Sequence, residues 1–429
     1  MQDKDQQKFA FINEKIKEKP INKKRMAIQA GFVFAMAILF GLVASFVFTY
    51  TQPKLEQMMY PKEDPHISIP QDEPTEETEE TETSEPEIDA EGEAEAPSVT
   101  VESWEPNLED YQTLQNQMYA IGREANKFIV TVTGIKSDTD WFNNPYESKG
   151  QASGIIIANN GVELLILTEK KVIADAKDVY VTFADEETVQ ASVKKYDGNT
   201  GITVLSVPVS EIKDSTLSAI SVAVLGNSLL VTQGTLVIAV GSPLGTNYSI
   251  LSGNITSTNN TISTIDVNYN VFTTDIIGSS SGSGALINLK GEVIGLVMQD
   301  YSSAGDEGTL TAVAISDLKA LIEKLSNDQD IPYLGLNVTT VTSYIAQEYD
   351  IPKGVYIKKV LMDSPAMAAG LQSGDVITAI DGDAVYSEDG YASKVLSLKP
   401  EDTVKVTISR QGNNGYATIV CDVDVSVLK

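Results

Sequence analysis

Serine hydroxyls crowded among glycines between apolar strands are the raw material of acyl transfer. Residues 271–298, VFTTDIIGSSSGSGALINLKGEVIGLVM, place such a cluster, Gly278 to Gly284, between two segments rich in branched residues. A nucleophilic enzyme needs a hydroxyl to attack the carbonyl and converging backbone N–H groups to hold the developing oxyanion. The same composition also suits a loop of solvated serines with no chemistry at all. A Ser-His-Asp relay further needs an imidazole that takes the serine proton near neutral pH and returns it to the leaving amine. The chain has one histidine, His66, and it stands in an acidic, proline-bearing stretch where it reads as an exposed linker residue. It has one cysteine, Cys421, so neither an intrachain disulfide nor a Cys-based metal cluster can form, and no cofactor or metal is expected.

The elements that would position the serine cluster are mainly β. Ala285–Asn288 breaks at Lys290-Gly291 and resumes at Glu292, the punctuation of a hairpin. From residue 128 to about 312, short β-type runs follow one another with turn signals between: 154–158, 163–167, 179–183, 189–193, 202–207, 236–240 and 249–253. Many short strands without intervening helices predict one β-barrel or a pair. Leu108, Tyr111, Leu114, Met118, Tyr119 and Ile121 recur at helical spacing and predict an amphipathic helix over 108–125. A second helix closes the region, with Ser316 as its N-cap and Ile315, Leu318, Leu321, Ile322 and Leu325 as its apolar stripe. Beyond it, strands at 335–341, 354–360, 376–380, 404–409 and 417–423 alternate with helical stretches at 343–349 and 389–398. That is a small α+β domain of a size that folds alone.

Charge sets the surroundings. The net charge of −29 leaves no basic face to neutralise phosphates, which excludes nucleic acid as a partner. Residues 72–110 hold 17 Asp/Glu and no Lys or Arg, a self-repelling composition expected of a disordered spacer. Residues 1–25 carry eight Lys/Arg against four acids, and Met26 to Tyr50 then runs without a charge. As a helix that run spans about 37 Å, enough to cross a hydrocarbon core with some tilt. The basic cluster before it puts the N-terminus in the cytoplasm and the rest outside. A cleaved signal peptide, suggested by the small residues of Val43-Ala44-Ser45, is the rival reading; the run is long for a signal peptide's apolar region. The expected organisation is a basic segment 1–25, a transmembrane helix 26–50, an acidic linker 51–107, a barrel domain 108–328 and a last domain 329–429.

At this point the residues resemble a known family, the HtrA/Deg-type membrane-anchored serine proteases with a C-terminal PDZ domain. The last domain carries Tyr333-Leu-Gly-Leu, Gly354-Val-Tyr-Ile, Asp363-Ser-Pro-Ala, Ala369-Gly-Leu, Gly374-Asp-Val-Ile, Ile380-Asp-Gly and Asp402-Thr-Val in the family's order. The middle domain carries Ser153-Gly-Ile-Ile-Ile, Ile166-Leu-Thr, Gly241-Ser-Pro-Leu-Gly, Ser249-Ile-Leu-Ser-Gly-Asn-Ile-Thr-Ser and Thr274-Asp275 ahead of the serine loop. The resemblance covers about 125–429 and implies a chymotrypsin-like double β-barrel followed by a PDZ domain. It implies that Tyr333, Leu334, Gly335 and Leu336 form a carboxylate-binding loop. A peptide C-terminus would then add as a strand beside 336–341, opposite the helix near 389–398.

The same resemblance marks departures at the catalytic positions. Lys171 stands where the family places its histidine, and Gly201 where it places its aspartate. The family's G-N-S-G-G-P-L becomes Ser280-Ser-Gly-Ser-Gly-Ala-Leu286, one residue short upstream. Counting from Asp275 puts the nucleophile at Ser283, and counting back from Leu286 puts Gly282 there. A Ser-Lys dyad of Ser283 and Lys171 would need burial to lower the lysine's pKa towards neutrality. The neighbours Glu169 and Lys170 predict instead a polar, wet loop. The expected function is therefore a catalytically inactive member that binds polypeptide C-termini or unfolded segments in envelope quality control. An endopeptidase with Ser-Lys chemistry and a plain envelope spacer are the alternatives, and a homo-oligomer stays open.

Overall fold

The computed structural model describes residues 66–72, 107–139, 145–302, 308–413 and 415–428, with Lys24 and scattered positions from Gly31 to Val43. The expected transmembrane helix 26–50 lies largely outside these residues, as does most of the linker. The described positions from Gly31 to Val43 are helical and exposed. Among the described residues no helix is long and apolar enough to cross a membrane. The folded elements below all fall in the compact unit Ile67–Lys429.

Helix α1, Leu108–Ala125, opens the barrel region; Asn107 caps it, and the Asp110 carboxylate accepts the cap's own N–H. Only its C-terminal half is used for packing. Met118, Gly122 and Ala125 are buried, whereas Leu108 is 82% and Tyr111 60% exposed. Six strands then close a first barrel: β1 (Ile129–Thr139), β2 (Pro145–Asn159), β3 (Glu163–Glu169), β4 (Asp178–Thr182), β5 (Thr188–Tyr196) and β6 (Ile202–Pro208), in the order β1-β2-β3-β6-β5-β4. Six more close a second: β7 (Leu236–Ser242), β8 (Ser249–Ser263), β9 (Asn268–Ile277), β10 (Ser283–Ile287), β11 (Val293–Met298) and β12 (Thr309–Ala314), in the order β10-β11-β12-β9-β8-β7. Closure leaves no sheet edge open, and runs such as VIGLVM in β11 are buried throughout because both faces are covered, Val293, Leu296 and Met298 joining one packed cluster and Ile294 and Val297 another. Two short helices interrupt the strands, α2 (Lys170–Ile173) and α3 (Asp214–Ala219).

Helix α4, Ile315–Ser326, seals the barrels. All five residues of its expected apolar stripe are at most 3% exposed, a burial of side chains that stabilises by on the order of 10 kcal/mol as an upper figure. The cap differs from expectation. The N-cap is Ala314, which contributes no side-chain bond, and Ser316 lies inside the helix. The Ser316 hydroxyl instead donates to Asp72 (2.6 Å) and accepts from the Ser228 N–H (2.8 Å).

Asp72 belongs to a second difference. Residues 67–72, inside the expected spacer, are docked on α4. Ile67 and Ile69 pack on the core, and the Ile67 N–H donates to Asn327 (2.8 Å) while the Ile69 N–H donates to Glu323 (2.8 Å). Asp72 neutralises the Lys319 ammonium at 2.7 Å, and Lys319 is itself buried in the middle of α4. A buried lysine without a counter-charge would be costly, so this stretch of linker has a structural partner that average composition hides.

The last domain holds β13 (Pro332–Tyr333), β14 (Leu336–Thr340), β15 (Val355–Val360), β16 (Val376–Ile380), β17 (Asp383–Ala384), β18 (Thr403–Gly412), β19 (Gly415–Asp424) and β20 (Ser426–Val427). The helices are α5 (Ser343–Glu348), α6 (Pro365–Ala368) and α7 (Glu388–Ser397). The main sheet runs β14-β15-β16-β18-β19, with β17 on β16 and a separate β13-β20 pair. Its core gathers Leu334, Leu336, Val338, Ile357, Ile377, Val406 and Ile408 around the fully buried Tyr391 of α7.

A cavity of about 610 Å³ lies among α4, the β8–β9 turn, β13 and α7. On its wall, burial pushes the Asp317 carboxyl up to about 6, against the pull of Asn270, whose N–H donates at 2.7 Å. An acid whose pKa rises on folding stabilises the fold below its unfolded value and loses that contribution as pH rises through the folded value. Asp317→Asn should therefore stabilise the protein by on the order of 2 kcal/mol at pH 7.5 and by little near pH 4. Urea unfolding at the two pH values checks this, and an equal effect at both would contradict it.

Candidate functional site

The serine cluster belongs to the second barrel and the two other expected catalytic positions to the first; the two barrels are linked near them by the Ser153 N–H on Ser283 Oγ (2.9 Å) and by the Lys171–Asp300 pair (3.4 Å). Strand β3 ends at Glu169, α2 follows, and the Lys170 N–H donates to the Gly201 carbonyl at 2.7 Å. Lys171 and Gly201 are thus on adjoining segments. The Lys171 ammonium pairs with Glu169 at 2.7 Å and with Asp300 at 3.4 Å. Burial pulls the Lys171 pKa down, but the two carboxylates outweigh it and hold the group above the ordinary lysine range. The expected wet loop is only half correct. Lys171 is partly exposed, but Glu169 is 5% exposed, its Oε1 has no hydrogen-bond partner among the described residues, and burial pushes its carboxyl up. Sequence reading missed this because a Glu-Lys-Lys run looks solvated until the barrel closes over its first member.

Ser283 is the first residue of β10, paired with Ser242 of β7 and Met298 of β11. It is 2% exposed, and its Oγ accepts the Ser153 N–H of β2 at 2.9 Å, across the junction of the barrels. Among the described residues no hydrogen bond joins the Ser283 and Lys171 side chains. The loop before Ser283 is folded on itself. The Gly282 N–H donates to Ser279 O at 2.7 Å, and the Ser279 N–H to Pro243 O at 2.9 Å. A Cβ at Gly282 would sit 2.8 Å from both the Pro243 and Ser279 carbonyl oxygens, too close for any side chain there without a shift of the loop. With Ser283 as nucleophile the oxyanion hole would take the N–H groups of Ser283 and Ser281, and the Ser281 N–H donates instead to the Ser279 hydroxyl at 3.3 Å.

A second constellation lies in the last domain. The N–H groups of Leu334, Gly335 and Leu336 converge on one carboxylate, that of Asp266 in the β8–β9 turn. Leu334 and Gly335 donate to its Oδ2 at 2.8 Å each, and Leu336 to its Oδ1 at 2.9 Å. The Tyr391 hydroxyl adds a fourth donor at 2.7 Å. Burial pushes the Asp266 carboxyl up from the ordinary aspartate range, while these four bonds pull the other way. The cradle depends on Gly335, which has φ +94°; a Cβ there would lie 2.3 Å from the Ser364 Cβ. Tyr333 flanks the cradle, with its phenol pKa raised by burial and by Asp266. Strand β14 bonds β15 along one edge, and along the other it accepts the Asp266 N–H at Leu336 O (2.7 Å). The loop was expected from the resemblance carried by Tyr333-Leu-Gly-Leu. Asp266, 68 positions from Leu334, carried no signal in its own surroundings.

Comparison with known proteins follows the same division. Residues 152–296 match the family described as trypsin-like peptidase domain, and residues 332–420 match the PDZ domain. The chain is 30% identical over 312 residues to the Serine protease Do-like HtrA of Lactococcus lactis subsp. cremoris, covering 67% of this chain and 75% of that protein. It is 31% identical over 289 residues to the Serine protease Do-like HtrA of Lactobacillus helveticus, covering 63% of this chain and 68% of that one. Among solved structures, the HtrA-type protease AlgW with decapeptide superposes with a TM-score of 0.55 at 19% identity, covering 72% of this chain and 98% of that chain. That likeness concerns the fold.

Proposed function

The chain belongs to the HtrA family of Do-like serine proteases, and from that premise we propose that it is a membrane-anchored, extracytoplasmic member that binds polypeptide C-termini through its PDZ domain and does not cleave peptides. The observation that carries the reading is the cradle: three backbone N–H groups at 2.8–2.9 Å from one carboxylate, beside the edge of β14. A terminal carboxylate presents the same two oxygens, and an extended peptide can continue along β14 by strand addition. The barrel domain supports the inactive half of the proposal. The chain's only imidazole is His66, Lys171 is held as an ammonium between Glu169 and Asp300, and an ammonium has no lone pair to accept the serine proton. The degenerate triad is thus Ser283, Lys171 and Gly201. The serine protease names of the relatives favour the competing reading, an active endopeptidase, which would need Lys171 to lose its proton next to two carboxylates.

The test of the binding role uses the full-length chain and a fluorescent peptide selected for binding. Amidating the peptide's C-terminus should abolish most of the affinity, and unchanged affinity would remove terminal-carboxylate recognition from the reading. Topology is tested on intact cells. Added protease should release the globular part, because the basic residues before Met26 hold the N-terminus inside; full protection would reverse the orientation. Clients in envelope quality control and homo-oligomer formation follow as questions for the same preparation.

A further inference from the structure

We propose that Asp266 is an internal ligand of the PDZ carboxylate cradle, a latch built from the second barrel that an incoming polypeptide C-terminus must displace. The inference rests on the reading that the cradle takes terminal carboxylates. Asp266 is bound as such a terminus would be. Its two oxygens take the N–H groups of Leu334, Gly335 and Leu336, and its own N–H donates to Leu336 O at 2.7 Å, the first rung of an added strand. Two residues on, the Asn268 amide reaches Val338 O at 3.5 Å, the next carbonyl on the same side of β14. The turn therefore covers both the cradle and the start of the strand edge.

The backbone is arranged for this. Asp266 has φ +61°, a left-handed conformation that turns the chain sharply between β8 and β9 and points the carboxylate outward from its own barrel. The residue is 3% exposed, so no second carboxylate can enter while it is in place. A residue whose only role was to tighten the hairpin would bond within the hairpin; among the described residues the hydrogen bonds of Asp266 go to the PDZ domain. The cavity of about 610 Å³ borders Asp266, Tyr333 and α7, so there is space beside the contact into which the turn can move. Glu388 supplies a second tie, accepting the Thr340 N–H at 2.8 Å and a bond from Asn268.

A latch closed in nine molecules of ten weakens apparent affinity about tenfold. The probe is a fluorescein-labelled decapeptide pool, randomised at its last three positions, with a free carboxylate or an amide at its end. Anisotropy is measured on the full-length chain, on Asp266→Gly, which suits a positive φ, and on Asp266→Asn, which keeps the shape but presents an amide to the donors. Opening predicts that both variants bind the free-acid pool about tenfold tighter or more than wild type, with no gain for the amidated pool. Equal free-acid affinity for wild type and both variants, with the amide still rejected, overturns the latch and leaves terminal-carboxylate binding standing. Absence of binding by all three proteins, or equal binding of acid and amide, overturns the binding reading and the latch with it. If Asp266→Gly does not fold, as judged by its thermal transition, the isosteric Asp266→Asn carries the comparison alone.

Discussion

Casein incubated for many hours with the full-length chain should remain intact, and a serine-directed phosphonate should leave Ser283 unmodified. The expectation follows from the proton inventory of the barrel rim. Attack by a serine requires a group that accepts its proton, and triad members act together, so removing one or more lowers turnover by roughly four to six orders of magnitude. Here the group beside the rim is an ammonium stabilised by Glu169 and Asp300. The Ser283 Oγ already accepts the Ser153 N–H, and the Ser281 N–H is bonded to the Ser279 hydroxyl. Single repairs should fail for separate reasons. Lys171→His supplies an imidazole with no aspartate to orient it. Adding Gly201→Asp restores a carboxylate at a left-handed position (φ +74°), a conformation aspartate tolerates, but leaves the serine loop folded on itself. The double variant should recover weak cleavage at best. Casein cleavage by the wild type that disappears in Ser283→Ala would refute this account and leave the Ser-Lys arrangement standing.

Arg410→Met should destabilise the PDZ domain by about 3–5 kcal/mol, the usual cost of leaving a buried charge without its partner. Asp375, in the turn leading into β16, is 1% exposed. Its two oxygens take the Arg410 Nε and a guanidinium N–H of the same side chain, each at 2.7 Å, and Oδ2 also accepts the Gln372 N–H at 2.8 Å. The same guanidinium reaches Gly370 O at 2.8 Å. The fork therefore ties β18 to the loop after α6 in a geometry that lysine cannot copy, so Arg410→Lys should rescue little. Replacing both partners, as in Asp375→Leu with Arg410→Met, removes the orphaned charge and should restore much of the loss. Urea unfolding of the three variants measures this. A single variant within 1 kcal/mol of wild type would show that Asp375 finds another partner.

Strand positions were legible because side chains in a β run report burial directly. The expected runs at 163–167, 202–207 and 236–240 fall in β3, β6 and β7, and the expected strands of the last domain fall in β14, β15, β16, β18 and β19. The α4 stripe was legible for the same reason at a period of 3.6. Its cap was not, because Ser316 has polar partners on Asp72 and Ser228 that lie 244 and 88 positions away. The helix over 108–125 was placed correctly, but its periodicity overstated its packing, since Leu108 and Tyr111 meet nothing that buries them among the described residues. Sequence spacing tells which residues share a face; it does not tell how much of that face is covered.

By itself, then, the sequence determined the barrel-plus-PDZ architecture, the lack of an imidazole outside the linker, and the loop whose N–H groups could hold a carboxylate. The β content and the histidine count are written in periodicity and composition, whereas the double barrel, the PDZ domain and the Tyr333-Leu-Gly-Leu loop were implied by the resemblance of ordered motifs to a known family. Tertiary structure alone decided what faces those groups. It set Lys171 between two carboxylates, buried Glu169, aimed the Ser283 hydroxyl at Ser153, and carried Asp266 from a turn of the second barrel into the cradle. An electrostatic or hydrogen-bonding partner is fixed by distance in space, and two carboxylates of identical sequence character acquire different roles once one of them is folded against three inward N–H groups.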